Sequence, residues 1–180
     1  MMASLAIVKE KESGTMEVLL VSPVRPPVVI LAKLVSYLLV GMINIVVILL
    51  ISVFILNVPI AGNIFLLFLV GTIFTLSSLA LGIMVSVLTK TQRSAIIISI
   101  AGLMLPAITL SGFIFPLGSL SLLMKVIVHL MPVTLFISAA RNIMIKGLGM
   151  DAVYPELFGL IVITVVLIVI SIKCFKNRLS

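Results

Sequence analysis

The carboxylates of this chain avoid the interior of its long apolar runs. The five acidic residues are Glu10, Glu12, Glu17, Asp151 and Glu156. Proteins that use a proton or sodium gradient usually hold a carboxylate or a histidine inside a membrane span, because such groups are tolerated there only for function. The positions of these acids therefore argue against a carrier driven by an ion gradient.

Other reactive side chains are scarce. His129 has no histidine, cysteine or carboxylate at ligand spacing, so we expect no metal site. Cys174 is the single cysteine, which excludes an internal disulfide. The sequence has no G-x-x-x-x-G-K-[ST] loop, so the chain does not bind ATP by that route. We therefore expect a non-catalytic protein without a bound cofactor, whose energy would come from a partner.

The longest polar segment, Lys9–Pro27, is the stretch that must contact something outside the chain. Gly14 interrupts the helix before it, Thr15 caps the next helix, and Pro23 ends that helix. Glu17 falls in its first turn, where the helix dipole favours negative charge. The apolar stripe of this predicted helix consists of Met16, Leu19 and Leu20. A helix shorter than about 12 residues is marginal alone, so this one needs either lipid headgroups or a protein partner.

The composition is that of an all-α integral membrane protein. Hydrophobic residues form 63% of the 180 residues and charged residues 9%, which is far from the soluble range. The net charge of +7 is spread through short connections and accompanies no nucleic-acid-binding motif. The basic residues therefore indicate topology, and we expect no nucleic acid as a partner.

Four apolar runs are long enough to cross a bilayer, which takes about 20 helical residues. They extend over about 28–56, 63–88, 94–115 and 156–175. Lys33 lies near the start of the first and is expected to extend toward the headgroups. In the second, Ser78, Gly82 and Ser86 are four residues apart and predict close packing on another helix. Pro106 predicts a kink in the third.

The segment 117–155 is apolar but holds Lys125, Arg141 and Lys146. Each of these would cost about 2.5–3.5 kcal/mol at the centre of a bilayer. Two helices broken at Pro132 that dip partway into the membrane avoid this cost, so we predict a re-entrant hairpin over about 117–148.

The basic residues also orient the four spans. With four spans, one side collects nine of the 12 Lys and Arg residues and the other side three. The nine are Lys9, Lys11, Arg25, Lys33, Lys90, Arg93, Lys173, Lys176 and Arg178. The positive-inside rule makes their side, with both termini, cytoplasmic. A fifth span through 117–155 would move the basic C-terminus outside, so we favour four.

Three stretches together resemble the membrane-spanning permease subunits of type 2 ABC exporters, a group that includes multidrug and antibiotic efflux permeases. The first is Ser4–Pro26, whose Glu-rich turn, Gly-Thr-Met-Glu and Pro-x-Arg-Pro end are similar to the family's cytoplasmic coupling helix. The second is SGFIFP at 111–116 with His129–Gly147, which is similar to the external re-entrant hairpin. The third is Thr-Lys-Thr-Gln-Arg at 89–93.

This resemblance implies a coupling segment at 1–27 and a permease domain at 28–180 that forms a translocation path. The partners implied are a cytoplasmic ABC ATPase that holds ATP and Mg, a second permease copy or paralogue, and the lipid bilayer of a bacterial or archaeal cytoplasmic membrane. The residues implied in ATPase coupling are Glu12, Gly14, Thr15, Met16, Glu17, Leu19, Leu20, Pro23, Arg25 and Pro26.

The family normally has a first span, an external domain and a second span before the coupling helix, so the resemblance covers the C-terminal half of such a subunit. The alternative is a small assembly or regulatory membrane protein that does not transport. In that case the stretch 9–27 would lie on anionic lipid.

Overall fold

The computed structural model describes residues 2–14, 26–58, 60–110, 128 and 131–176, and all the regular structure in these residues is helical. In chain order the helices are α1 (Met2–Leu5), α2 (Val8–Glu12), α3 (Pro26–Phe54), α4 (Ile64–Leu88), α5 (Gln92–Ile98), a π-helical turn (Ser99–Met104), α6 (Leu105–Leu110), α7 (Pro132–Met144) and α8 (Met150–Lys176). Among the described residues, four stretches are long and apolar enough to cross a membrane, which confirms the four predicted spans. We call α3 the first span, α4 the second, α5 to α6 the third, and α8 the last.

Local side-chain bonds explain where the spans begin. The first span opens on Pro26, as expected for a residue that is tolerated in the first turn of a helix. The Asn63 side chain accepts from the Phe65 amide at 2.8 Å and caps the second span. The Thr91 hydroxyl caps the third span and so begins it at Gln92, two residues earlier than the sequence predicted.

The third span is irregular on the N-terminal side of Pro106. A π-helical turn occupies Ser99–Met104, and α-helix resumes at Leu105. Proline has no backbone N–H, and its ring crowds the carbonyl four residues earlier, here that of Gly102 within the π turn. The irregularity predicted at this proline thus takes the form of a wider helical turn.

The last span begins at Met150, six residues before the predicted start, and continues through Pro155. A proline usually ends or kinks a helix because one backbone hydrogen bond is lost. Here the carbonyl left without that bond belongs to Asp151, which is exposed in the first turn. The cost is therefore low, and Asp151 also lies where the helix dipole favours an acid.

The second span is the centre of the fold. Near its start it packs on α7 and the last span through Leu66, Leu67, Val70, Ala139, Ile143, Val153, Leu157 and Leu160. Near its end it packs on the first span, on the last span and on residues 2–14, which we call the N-terminal segment. The residues in contact are Ala3, Ile7, Ile30, Leu34, Ile83, Val87 and Phe175. Midway along it, the hydroxyls of Ser77 and Thr164 are hydrogen-bonded to each other and buried. The first span is far more exposed. In an apolar stretch of 18 residues, 6% of the first span is buried, against 33% of the second.

Helix α7 packs on the second and last spans but is too short to cross a bilayer. Its 13 residues form a helix about 20 Å long, against a hydrocarbon core of about 30 Å. Residues 111–127, 129 and 130 lie outside the described residues. The re-entrant hairpin therefore stays a prediction.

Candidate coupling site at the end of the second span

The predicted coupling residues fall at the edge of what the structure describes. Glu12 ends α2, Gly14 follows with a φ of +70°, and Pro26 begins the first span. A positive φ suits glycine, so the helix end predicted at Gly14 is confirmed. Outside the described residues lie Thr15, Met16, Glu17, Leu19, Leu20, Pro23 and Arg25.

Glu10 ties α2 to the first span. Its carboxylate pairs with the Lys33 ammonium at 2.7 Å, and the same ammonium donates to the Ala6 carbonyl at 2.8 Å. The two side chains are 30% and 21% exposed, respectively, so the pair is only partly open to solvent. Lys33, which was expected to extend toward the headgroups, thus has a partner within the same chain that the sequence did not predict.

Lys11 ties α2 to the end of the second span. Its ammonium donates to the carbonyls of Ser86, Val87 and Thr89 at 3.3, 2.7 and 3.3 Å. Carbonyls in the last turn of a helix have no partner within that helix, and the dipole makes this end negative. Lys11 thus places a cation where both effects favour one.

Glu12 ties α2 to the start of the third span. Its two oxygens accept from the Gln92 amide at 2.9 Å and from the Gln92 side-chain nitrogen at 2.5 Å. Gln92 is the first residue of α5, where backbone N–H groups are free and the dipole is positive. The carboxylate therefore matches its helix end as Lys11 matches the other.

Two of the small residues of the second span, Gly82 and Ser86, contact the N-terminal segment. The hydroxyl of Ser86 accepts from the amides of Ile7 and Val8, each at 2.9 Å and buried. A Cβ on Gly82 would lie 2.9 Å from the Ala3 Cβ, so only glycine fits. Ser78 is exposed and lines a cavity. Two of the three predicted packing residues thus contact the short helices of the N-terminal segment, in line with the prediction of close packing on another helix.

Three consecutive side chains therefore bind three different spans: Glu10 the first, Lys11 the second and Glu12 the third. Val8 adds an apolar contact by packing with Val85 and Ala95. Sequence reasoning noted these charges but not their partners. The residues that Lys11 and Glu12 contact lie 75 to 80 positions away along the chain, and most of the contacted atoms are backbone atoms, which leave no sequence signature.

The opposite end of the second span is held differently. The amide of Ala61 donates to the carbonyl of Met144 at 3.0 Å, and Gly62 lies against Ile143. One oxygen of Glu156 accepts from Ser138 at 3.0 Å and from Asn142 at 3.3 Å, which joins α7 to the last span. Short backbone contacts and neutral donors dominate here.

A cavity of about 810 Å³ lies between α1, the first three spans and the start of α7. Its polar lining includes Ser4, Asn44, Thr75, Ser78 and Ser99. Asn44 and Thr75 donate to carbonyls of their own helices, and the Ser99 hydroxyl is buried without a partner among the described residues. No group of three metal-ligating side chains occurs in the part of the chain that the structure describes.

Comparison with known families decides what these helices belong to. The family described as ABC-2 family transporter protein matches residues 1–173. This chain belongs to the ABC-2 transporter family. The ABC-2 membership and the four apolar helices together make it a multi-pass membrane protein, as its composition predicted.

Several curated relatives of this ABC-2 chain are permeases by name. The chain is 34% identical to the probable multidrug ABC transporter permease YbhS of Escherichia coli, over 81% of this chain and 39% of that protein. It is 31% identical to the probable multidrug ABC transporter permease YbhR of the same organism, over 89% and 44%. ABC transporter G family member 20 of Dictyostelium discoideum is 31% identical over 97% and 26%. The chain thus spans less than half the length of these relatives. No solved structure matches it.

Proposed function

We propose that this chain is the membrane-spanning permease part of an ATP-driven exporter and that the helix predicted after Gly14, within its residues 9–27, docks on a separate cytoplasmic ATPase. Membership of the ABC-2 family and relatives named as multidrug permeases support an efflux role. The observation that carries the proposal is the attachment of Glu10, Lys11 and Glu12 to the first three spans. A docking segment joined in this way would pass a partner's movement directly to the membrane helices.

In this proposal the catalytic step belongs to the partner. The sequence carries no nucleotide-binding loop of the Walker type, so ATP and Mg²⁺ would be held by the ATPase. A second permease copy or paralogue would complete the translocation path. The chain's own residues then position the spans and do not hydrolyse ATP.

The proposed orientation places α2 and the end of the second span on the cytoplasmic side of a bacterial or archaeal cytoplasmic membrane. Five basic residues lie at or near that end. Lys11 and Lys33 bind there directly, and Lys9 lies on the same helix as Lys11. Lys90 and Arg93 lie at or next to the start of the third span, which Glu12 contacts. Basic residues favour the cytoplasmic side. With Cys174 replaced by serine, a membrane-impermeant thiol reagent should reach a cysteine at Gly149 from outside but not one at Lys90. The reverse pattern would contradict this orientation.

Protein docking fits the stretch better than lipid binding does. Attraction to anionic headgroups contributes about 1 kcal/mol per basic residue, yet Lys9, Lys11 and Arg25 are offset by three glutamates. Lys11 is moreover bound to carbonyls of the second span. The basic charge left for a lipid surface is therefore small, which weighs against the lipid-surface alternative.

The apolar stripe of the predicted helix provides the test. Changing Leu19→Ser and Leu20→Ser together removes two side chains, each worth roughly 1.5–3 kcal/mol when fully buried in a groove of the ATPase. We expect the ATPase to be lost on co-purification and its stimulation by the permease to disappear, while the permease still reaches the membrane.

The matched control lies on the same predicted helix. Val18→Ser with Val21→Ser changes two apolar residues that helical spacing places on the other face, and this variant should retain the ATPase. Full retention and stimulation in the Leu19/Leu20 double variant would contradict the docking role and favour a helix that rests on lipid.

A further inference from the structure

We infer that Lys11 and Glu12 are positioning residues that transmit displacement of the 9–27 stretch to the adjoining ends of the second and third spans. This inference rests on the proposed function, since it requires a partner that moves that stretch. It adds which side chains carry the movement and which spans receive it first.

Lys11 binds several carbonyl groups at the end of the second span and not a single atom. Three carbonyls, those of Ser86, Val87 and Thr89, converge on one ammonium at 2.7 to 3.3 Å. Charge-assisted hydrogen bonds are roughly twice as strong as neutral ones. A shift of α2 therefore acts on the last turn of the second span through several bonds at once.

The Glu12 contact has the complementary sign at the next helix. Its carboxylate holds the backbone amide and the side-chain amide of Gln92. Lys11 and Glu12 are neighbours in α2, while their partners lie on either side of Lys90 in the short connection between the second and third spans. The two side chains thus hold the end of one span and the start of the next at a fixed separation.

The route from the docking stretch to this pair is short. Glu12 is the last residue of α2, and the predicted coupling helix begins three residues later at Thr15. Ser86 strengthens the attachment of α2 by accepting from the amides of Ile7 and Val8. The connection between the predicted coupling helix and α2 is therefore too short to absorb a displacement of that helix.

Among the residues that the structure describes, the last span is held in a different way. At the end of the second span near Leu88, the last span makes an apolar contact through Phe175, which packs near Ile83 and Val87. Apolar contacts are not directional and permit sliding, whereas the bonds of Lys11 and Glu12 fix positions. Displacement of α2 should therefore move the ends of the second and third spans relative to the last span.

The test compares Lys11→Met, which keeps most of the length of the side chain but removes its charge, with Lys9→Met. Lys9 lies on the same short helix and its side chain is exposed, so it is a matched control. In the complex of permease and ATPase, Lys11→Met should still co-purify with the ATPase. Its stimulation of the ATPase should fall roughly fivefold or more, since fivefold is the lower limit of typical coupling effects. Lys9→Met should leave both unchanged, and Lys11→Arg, which keeps cationic donors, should restore most of the stimulation.

Hydrogen exchange of the permease without the ATPase supplies an independent measurement. Lys11→Met should speed amide exchange at the connection between the second and third spans, because the helix ends lose their tie. Faster exchange with unchanged ATPase stimulation would show a structural role only and overturn the inference. Loss of co-purification in Lys11→Met would overturn it too, since it would make Lys11 a docking residue.

Two further results keep the test decisive. If Lys11→Met does not reach the membrane, Glu12→Gln carries the comparison, because it keeps the shape of the side chain while it removes the charge and turns one of the two accepting oxygens into a donor. Unchanged stimulation in Glu12→Gln would then overturn the inference. Failure of the proposed function itself is read separately, from retention of the ATPase by the Leu19/Leu20 double variant.

Discussion

The second span is held by different chemistry at its two ends. At the end near Leu88, long charged side chains of α2 bind helix termini, beside the close packing of Gly82 on Ala3. At the end near Ile64, the contacts are backbone atoms and small residues, with Gly62 against Ile143 and Ala61 bonded to Met144. Hydrogen bonds of charged side chains carry a displacement of α2 to the helix ends that they bind, whereas the end near Ile64 packs on α7 and the last span. In the proposed exporter, movement would therefore enter at the α2 end, and the other end would stay fixed.

The largest expected effect is at Gly82, where the α2 end does depend on close packing. A leucine would place its Cβ 2.9 Å from the Ala3 Cβ and 3.3 Å from the Ser4 amide, with further carbons beyond. Gly82→Leu should displace the N-terminal segment and cost more than about 3 kcal/mol, the upper range for overpacking. Thermal stability in detergent measures this cost, and the variant should still insert.

Ser78→Leu is the control for that substitution, since Ser78 lies one turn away on the same stripe and is exposed. It should leave stability nearly unchanged. Equal stability of the Gly82→Leu variant and the parent would show that the N-terminal segment does not rest on the second span.

At the fixed end, Gly62→Ala should be costly for a single methyl group. The added Cβ would lie 2.5 Å from the Ile143 carbonyl oxygen, a backbone atom that cannot rotate away. We expect a loss of about 2–3 kcal/mol. Gly149→Ala is the control, because a Cβ there meets nothing within 4 Å. If both variants melt at the same temperature, the fixed end is looser than this comparison requires.

Removal of the Ser86 hydroxyl should have a smaller effect at the α2 end. Ser86→Ala leaves the buried amides of Ile7 and Val8 without their acceptor. Leaving such donors unsatisfied costs about 1–2 kcal/mol in total if the segment relaxes toward water. Exchange at those two amides should speed up, while exchange within α7 should stay as in the parent. Unaltered exchange at Ile7 and Val8 would contradict the contact.

The smallest effect is expected at the ion pair of Glu10 and Lys33. Both side chains are partly exposed, so Glu10→Gln should cost only about 0.5–1 kcal/mol. Exchanging the two residues, Glu10→Lys with Lys33→Glu, should recover part of that loss in a thermal melt. A swapped variant no more stable than either single reversal would mean that the pair does not tie α2 to the first span.

Sequence alone predicted the four spans because each requires an apolar run of fixed length, and it predicted the helix end at Gly14 because that position suits glycine. It placed the start of the last span six residues too late, although a proline such as Pro155 in the second turn of a helix costs little there.

The candidate site was less accessible to such reasoning. Small residues at Gly82 and Ser86 indicated close packing but not its partner, which is the N-terminal segment. Lys33 was assigned to headgroups because Glu10, 23 positions earlier, becomes its neighbour only in the folded chain. Most acceptors of Lys11 and donors to Glu12 are backbone groups that every residue carries, so the polar run showed where charge lies but not what it binds.

The most direct test of the central claim measures the separation of the second and last spans at both ends in the assembled exporter. With Cys174 replaced by serine, spin labels on exposed Lys90 and Lys173 report the α2 end, and labels on exposed Phe65 and Gly149 report the other end. We predict that trapping the ATPase in its ATP-bound state changes the Lys90 to Lys173 distance and leaves the Phe65 to Gly149 distance as it was. A change confined to Phe65 and Gly149, or none at Lys90 and Lys173, would contradict the account.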